Sequence, residues 1–340
     1  VGESGLKDFS RRDFLKFGAL TLGAAAVLPN AEAGASWSKP RFMLVGEKSG
    51  VSIYKEPDES SVILYQRQYM DIINVYEEVI GPNGPAWNPI WYRCWGGFVF
   101  SGLLYEVKYE LNEPSEPKRS TGQLAEITVP YTRSLYHQVY DGWVPLWMYY
   151  YRSVHWVIDV VQGPDEQPWY KIQDELGHTE TIVRAEHMRF IEDEEFAPIS
   201  PDVPGSEKLI DVSLPLQRLQ AFEGDNLVKE CKVSTGFPTG EGLYAIKTKM
   251  PSKHMGDAVL TSNVRERIWM GVPWTCFFEM DIGLATHGTF WHSNFGTPMS
   301  AGCINMLTDD AKWVYRWTLP RAEPEEWVKH GWGTSIRVHK

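Results

Sequence analysis

From about residue 40 onward the chain is written in runs of four to eight β-branched and aromatic residues, each closed by Gly, Pro, Asn or Asp. That rhythm suits half-buried strands joined by tight turns and leaves little room for long helices, so it predicts a mainly β molecule. Gly50-Val51-Ser52-Ile53-Tyr54 leads into the turn Glu56-Pro57-Asp58, Asp71–Tyr76 supplies another strand, and the loop Gly81–Pro85 precedes Trp91-Tyr92-Arg93. Two polar, breaker-rich stretches interrupt the pattern, NEPSEPKRSTG at 112–122 and EDEEFAPISPDVPGSEK at 192–208. The chain has 340 residues, and a domain usually holds about 100–200. The expected parts are therefore residues 40–110, 121–195 and 208–340.

The first two parts look alike. The second holds the strand-like Tyr149–Ser153, Trp156–Ile158 and Pro168–Ile172, and its Trp169-Tyr170-Lys171 stands where the first has Trp91-Tyr92-Arg93. Each then closes on a further strand-like run, Phe98–Val107 in one and Thr181–Ile191 in the other. The chain's 15 Trp and 16 Tyr are read first as filling for small β cores, with stacking on sugars or peptides as their other use. Both parts resemble small barrels of the bacterial Src-homology-3-like type. That resemblance implies wall or peptide binding, or positioning of a catalytic domain; plain spacing is the other reading.

The formal net charge of −11 argues against a phosphate-binding surface, and so against nucleic acid as a partner. It also disfavours adhesion to an anionic wall or membrane by charge alone. Cysteines at 94, 231, 276 and 303 form no CxxC pair and have no metal-ligand spacing, so neither a disulfide scaffold nor a metal site is expected. A Cys231–Cys276 bridge is compatible with the sequence but not deducible from it.

Residues 10–16 read SRRDFLK, followed by the apolar run FGALTLGAAAVL and then Ala31-Glu32-Ala33. This resembles a twin-arginine export signal over residues 1–33, one that delivers folded proteins to the periplasm or cell wall. The apolar run is 12 residues long, against about 20 for a spanning helix, so cleavage is expected rather than a membrane anchor. No later segment reads as a membrane span, and a soluble mature protein is expected.

Chemistry concentrates between His287 and Asn305. A cysteine nucleophile needs a base to take its proton and donors aimed at the oxyanion it creates. His287 is the candidate base for Cys303, and backbone N–H groups of Ala301-Gly302-Cys303 are the candidate donors. His292 is a second candidate base. Downstream, Thr308 reads as an N-cap with Asp309 and Asp310 in the first turn, predicting a short helix through Trp317 that stops before Pro320. Its positive end would favour a thiolate at Cys303 modestly, with the two acids opposing.

The segment HGTFWHSNFGTPMSAGCINM resembles the signature of the L,D-transpeptidase (YkuD-type) catalytic domain: His-Gly, a variable loop, Ser or Thr, commonly His, then Gly-Cys, an apolar residue, and Asn or Arg. His287 and Cys303 lie 16 residues apart, which suits that signature. Upstream, Lys208–Gln220 resembles the family's opening strands, Thr235–Gly240 its Thr-Gly…Thr-Pro-Thr-Gly turn, and Tyr244–Lys247 the following strand. Pro251–Met255 and Val272-Pro273-Trp274 resemble substrate-side loops, and Arg337–His339 the last strand.

The resemblance implies Cys303 as nucleophile, His287 as proton acceptor and donor, Ser300 and Gly302 as pocket-shaping residues, and Asn305 as the holder of the following loop. His292 becomes a loop or substrate contact, and Met255, His254, Trp274, Phe290 and Trp291 become candidate pocket walls. Ala301 departs from the signature, standing where the family often has His. The implied fold is two small Src-homology-3-like barrels followed by a β-rich catalytic domain with a short helix after the nucleophile.

The implied reaction is peptidoglycan cross-linking by cysteine acyl transfer from a tetrapeptide stem, with release of D-Ala and no cofactor or metal. Three alternatives remain at this level: an L,D-carboxypeptidase, a transpeptidase that anchors proteins to the wall, and a wall-binding protein without catalysis.

Overall fold

A computed structural model describes residues 39–237 and 239–340. The export signal expected at 1–33 lies outside the described residues.

Seven strands make the first sheet: β1 (Arg41–Val45), β2 (Val51–Tyr54), β3 (Ile63–Arg67), β4 (Ile72–Ile80), β5 (Ile90–Cys94), β6 (Gly97–Phe100) and β7 (Leu104–Val107). Seven more make the second: β8 (Gln123–Ile127), β9 (Tyr131–Gln138), β10 (Gly142–Tyr150), β11 (Val154–Gln162), β12 (Pro168–Gln173), β13 (Glu180–Arg184) and β14 (Met188–Phe190). The first runs in the order β3-β2-β6-β5-β4-β1-β7 and the second β10-β9-β13-β12-β11-β8-β14, which is the same order displaced by seven. Trp91 and Trp169 occupy the fifth strand of their sheets, and both are buried.

A further repeated residue explains why those indoles fit. Gly81 and Gly163 each follow the fourth strand, and a Cβ on either would lie 2.5 Å or less from the ring of Trp91 or Trp169. Each glycine leaves room for its tryptophan, and both precede a proline. One strand expectation ends early: Tyr149 and Tyr150 close β10, while Tyr151 and Arg152 form a turn with Arg152 at φ 66°.

The last part holds two five-stranded sheets. One joins β15 (Lys208–Ser213), β16 (Arg218–Glu223), β17 (Asn226–Lys232), β18 (Gly242–Ala245) and β24 (Ser335–His339) in the order β17-β16-β15-β24-β18. The other joins β19 (Thr248–Met255), β20 (Trp269–Glu279), β21 (Leu284–Gly288), β22 (Ile304–Met306) and β23 (Lys329–His330) in the order β22-β21-β20-β19-β23. Helix α1 (Thr308–Trp317) closes the core between them. Ile210, Val212, Leu219 and Ile336 from the first sheet meet Trp274, Cys276, Phe278 and Ile304 from the second, with Val314 and Tyr315 of the helix.

The helix begins where expected but is capped differently. Its N-cap is Leu307, without a side-chain cap bond, and Thr308 is the first helical residue. Asp309 is held by Arg152 in the turn after β10, and Asp310 by Lys229 at 2.6 Å. All four cysteines are free. Among the described residues no helix is long and apolar enough to cross a membrane.

Apolar contacts run across the three parts. Leu124, Val154 and Trp156 of the second part, with Ile191 and Phe196, belong to the core that lies under the helix. Another cluster gathers Leu44, Met70 and Tyr105 of the first part, Tyr150 of the second, and Phe290, Trp269 and Trp291 of the third. The two polar stretches also meet: Lys118 pairs with Glu192, and Arg119 with Asp193.

Candidate active site

The site is built on β21 and β22, which run parallel with His287 opposite Asn305. Side chains alternate across a strand. Cys276, Ile304 and Met306 therefore face the helix-side core, while Cys303 packs on the other face against Met250, Phe277 and Ala285. The helix and the thiol thus lie on opposite faces of one sheet, so the expected help from the helix end to a thiolate is not built in.

Cys303 is partly exposed, and its Sγ donates to the Gly283 carbonyl at 3.5 Å. Burial pushes the thiol above its ordinary value, with the Ala285 backbone N–H pulling weakly the other way. His287 is buried; its Nδ1–H donates to the Gly288 carbonyl at 3.0 Å, so its basic lone pair lies on Nε2. Burial pushes this imidazole down to about 4, and the Gly288 bond opposes the shift. Both groups therefore rest in their neutral forms, not as the thiolate that the cysteine-nucleophile reading first suggests.

The turn that presents the sulfur is held from two sides. Ser300 Oγ accepts from the Gly302 N–H at 3.1 Å and donates to the Cys303 carbonyl at 2.5 Å. Gly302 sits at φ 125°, a conformation that suits glycine. From the other side, Thr239 Oγ1 donates to the Gly302 carbonyl at 2.6 Å and accepts from the Gly236 N–H at 3.1 Å. A Cβ on Gly236 would lie 1.7 Å from the Ser300 carbonyl oxygen, so only glycine can approach there. The Thr-Gly turn of the sequence thus clamps the loop that carries Cys303. Gly302's N–H is engaged by Ser300, which leaves the N–H groups of Ala301 and Cys303 as the oxyanion candidates in that segment.

His292 is buried, with a partner at each ring nitrogen: the Asn294 N–H at 3.2 Å on Nδ1 and the Asn305 side-chain amide at 3.2 Å on Nε2. Burial pushes it down to about 4, with neighbouring His287 adding to the shift. Trp291 lies beside His287, with ring centroids 5.9 Å apart.

The other candidate walls have varied surroundings. Trp274 is a core residue between Phe196 and Tyr315, at 5.4 and 5.3 Å. His254 is buried against Asp174 of the second sheet at 3.0 Å. Met255 ends β19 opposite Trp269, and Phe290 stacks on Tyr150 at 5.8 Å. Pro251–Met255 and Val272–Trp274 are strand residues, not loops. Among the described residues no group of three or more His, Cys, Asp or Glu is placed to hold a metal ion.

A cysteine thiol just before β22 and a carbonyl-anchored imidazole on the neighbouring β21 carry the groups used in acyl transfer through a thioester. Residues 207–329 match the family model YkuD, the L,D-transpeptidase catalytic domain. No curated protein matches the chain.

Among solved structures, the chain is similar to an L,D-transpeptidase from Stackebrandtia nassauensis, with 21% identity over 43% of this chain and 63% of that one and a TM-score of 0.29. It is similar to another from Xylanimonas cellulosilytica, with 20% identity over 40% and 62% and a TM-score of 0.28. It is also similar to one from Mycobacterium smegmatis, with 15% identity over 79% and 99% and a TM-score of 0.32. The chain thus spans less than two thirds of the first two of these proteins.

Proposed function

We propose that this protein is an exported L,D-transpeptidase that cross-links peptidoglycan stem peptides through a Cys303 thioester. The observation that carries the reading is the Gly288-anchored His287, with its Nε2 lone pair free, on the strand beside Cys303, inside the segment that matches the family model. Cys303 Sγ attacks the carbonyl carbon of the L,D bond after the third residue of a tetrapeptide stem, and its proton passes to His287 Nε2. Backbone N–H groups of the Ala301–Cys303 segment receive the oxyanion. Collapse expels D-Ala, whose amine takes the proton from His287. A side-chain amine of a neighbouring stem then attacks the thioester, gives its proton back through His287, and leaves an amide cross-link and the free thiol.

The two seven-stranded parts are read as Src-homology-3-like modules, a reading that their shared strand order supports. Export by the twin-arginine route places the work in the periplasm or wall. Incubation with tetrapeptide muropeptides, followed by mass spectrometry, tests the reading. D-Ala release and dimer formation are expected from the parent and neither from Cys303→Ala. D-Ala release without dimers would make water the acceptor. Wall binding with no D-Ala release, or a Cys303→Ala variant as active as the parent, would end the proposal.

A further inference from the structure

The loop between His287 and Cys303 is held by a part of the chain about two hundred residues away in sequence. The indole N–H of Trp87, in the first part, donates to Asn294 Oδ1 at 3.3 Å. The Ser293 N–H donates to the Gly102 carbonyl at 3.1 Å, and Lys232 Nζ donates to the Trp87 carbonyl at 2.8 Å. Contact is close along this seam. A Cβ on Gly46 would lie 1.9 Å from the Trp291 carbonyl oxygen, and one on Gly102 would lie 2.6 Å from Asn294 Oδ1.

From Asn294 the contacts lead inward with a defined sense. Its backbone N–H must donate, so His292 Nδ1 is the acceptor and neutral His292 carries its proton on Nε2. Asn305 Nδ2 lies 3.2 Å from that nitrogen, and flipping the amide end for end places its oxygen there to accept the Nε2–H. Asn305 is the register partner of His287 across β21 and β22. Asn294, His292, Asn305 and His287 are all buried, so the links inward from Asn294 are shielded from competing water, while Trp87 itself is 41% exposed. Both ring nitrogens of His292 are engaged, which makes it a support and not a second base.

We infer that the first seven-stranded part is a working component of the active site, in which Trp87, through Asn294, His292 and Asn305, is a positioning residue for His287. The inference rests on the reading of Cys303 and His287 as the reacting pair. The physical stake is geometric, since a displacement of about 1 Å at a reacting group can cost roughly a hundredfold in rate.

Trp87→Phe keeps the ring and removes the donor. With a tetrapeptide donor, kcat should fall roughly tenfold, the effect of one lost hydrogen bond, while KM and the melting temperature stay near those of the parent. Trp95→Phe, which alters an exposed indole of the same sheet, should leave kcat unchanged. Combined with His292→Gln, the Trp87 change should add no further loss, because linked groups are non-additive; Asn294→Ala serves if His292→Gln does not fold. A parent-like kcat for Trp87→Phe, or losses that multiply, would overturn the inference.

Alkylation of Cys303 by iodoacetamide, followed by intact mass, separates this claim from the proposed function because it needs no peptide. If the parent released no D-Ala while Trp87→Phe slowed alkylation, the functional reading would fall and the positioning role would stand. Equal alkylation rates would remove the positioning role.

Discussion

At the residue scale, burial shifts both Cys303 and His287, the proposed reacting pair. Burial pushes the Cys303 thiol up and the His287 imidazole down to about 4, so under the proposed mechanism the proton would leave sulfur as the sulfur attacks. The value for His287 lies below its ordinary 6.5, so the ring remains an uncharged base until the pH falls toward about 4. The kcat/KM for a tetrapeptide donor should therefore stay level from neutrality down through the ordinary histidine range and drop only near that lower value. An inflection near 6.5, with an imidazolium signal for His287 in neutral-pH NMR spectra, would instead reveal a preformed thiolate–imidazolium pair. The candidate pair is legible because a His-Gly and a Ser-Ala-Gly-Cys lie close together in sequence. Their protonation states are not, because these depend on what packs over them.

At the element scale, β19 is held against the second sheet. Ser252 Oγ donates to the Val154 carbonyl at 2.6 Å, Lys253 pairs with Glu175 at 2.5 Å, and His254 Nδ1 meets Asp174 at 3.0 Å. Such a strand, covered on both faces, lacks the alternation that reveals half-buried strands, which is why Pro251–Met255 reads as a loop in sequence. Asp174→Ala should remove the partner of a buried imidazole. The expected cost is about 1–3 kcal/mol, seen as a lower urea midpoint with an unchanged slope. An unchanged midpoint would show that this clamp contributes nothing. The polar stretch at 192–208 likewise became structure: Glu195 binds Arg189 and Lys312. Burial opposes ionisation of its carboxyl, but those two partners outweigh it and hold the group at about 2.

At the scale of the whole molecule, residues 39–340 form one compact unit whose apolar clusters are shared among the three sequence parts. Trp156 of the second part stacks on Trp327 of the third at 4.8 Å, and Tyr150 on Phe290 at 5.8 Å. Residues 208–340 expressed alone would leave Trp269, Phe290 and Trp291 without Leu44, Met70, Tyr105 and Tyr150, which pack with them in the full chain. That fragment should melt lower and aggregate, whereas the full chain should unfold in one calorimetric transition. Two or three resolved transitions in the full chain would mean that the parts fold independently.

Local spacing by itself determined the strand-rich class, the repeat marked by Trp-Tyr-Arg and Trp-Tyr-Lys, the helix after Cys303 and the short segment that makes Cys303 and His287 candidates. Each of these is written within a few neighbouring residues, by two-residue alternation, turn formers or a short motif. Only the tertiary structure decided that Trp274 is core, that both ring nitrogens of His292 have partners, that burial shifts Cys303 and His287 toward their neutral forms, and that Trp87 reaches Asn294. Burial and hydrogen-bond partnership between residues far apart in the chain arise from packing, and no run of adjacent residues encodes them.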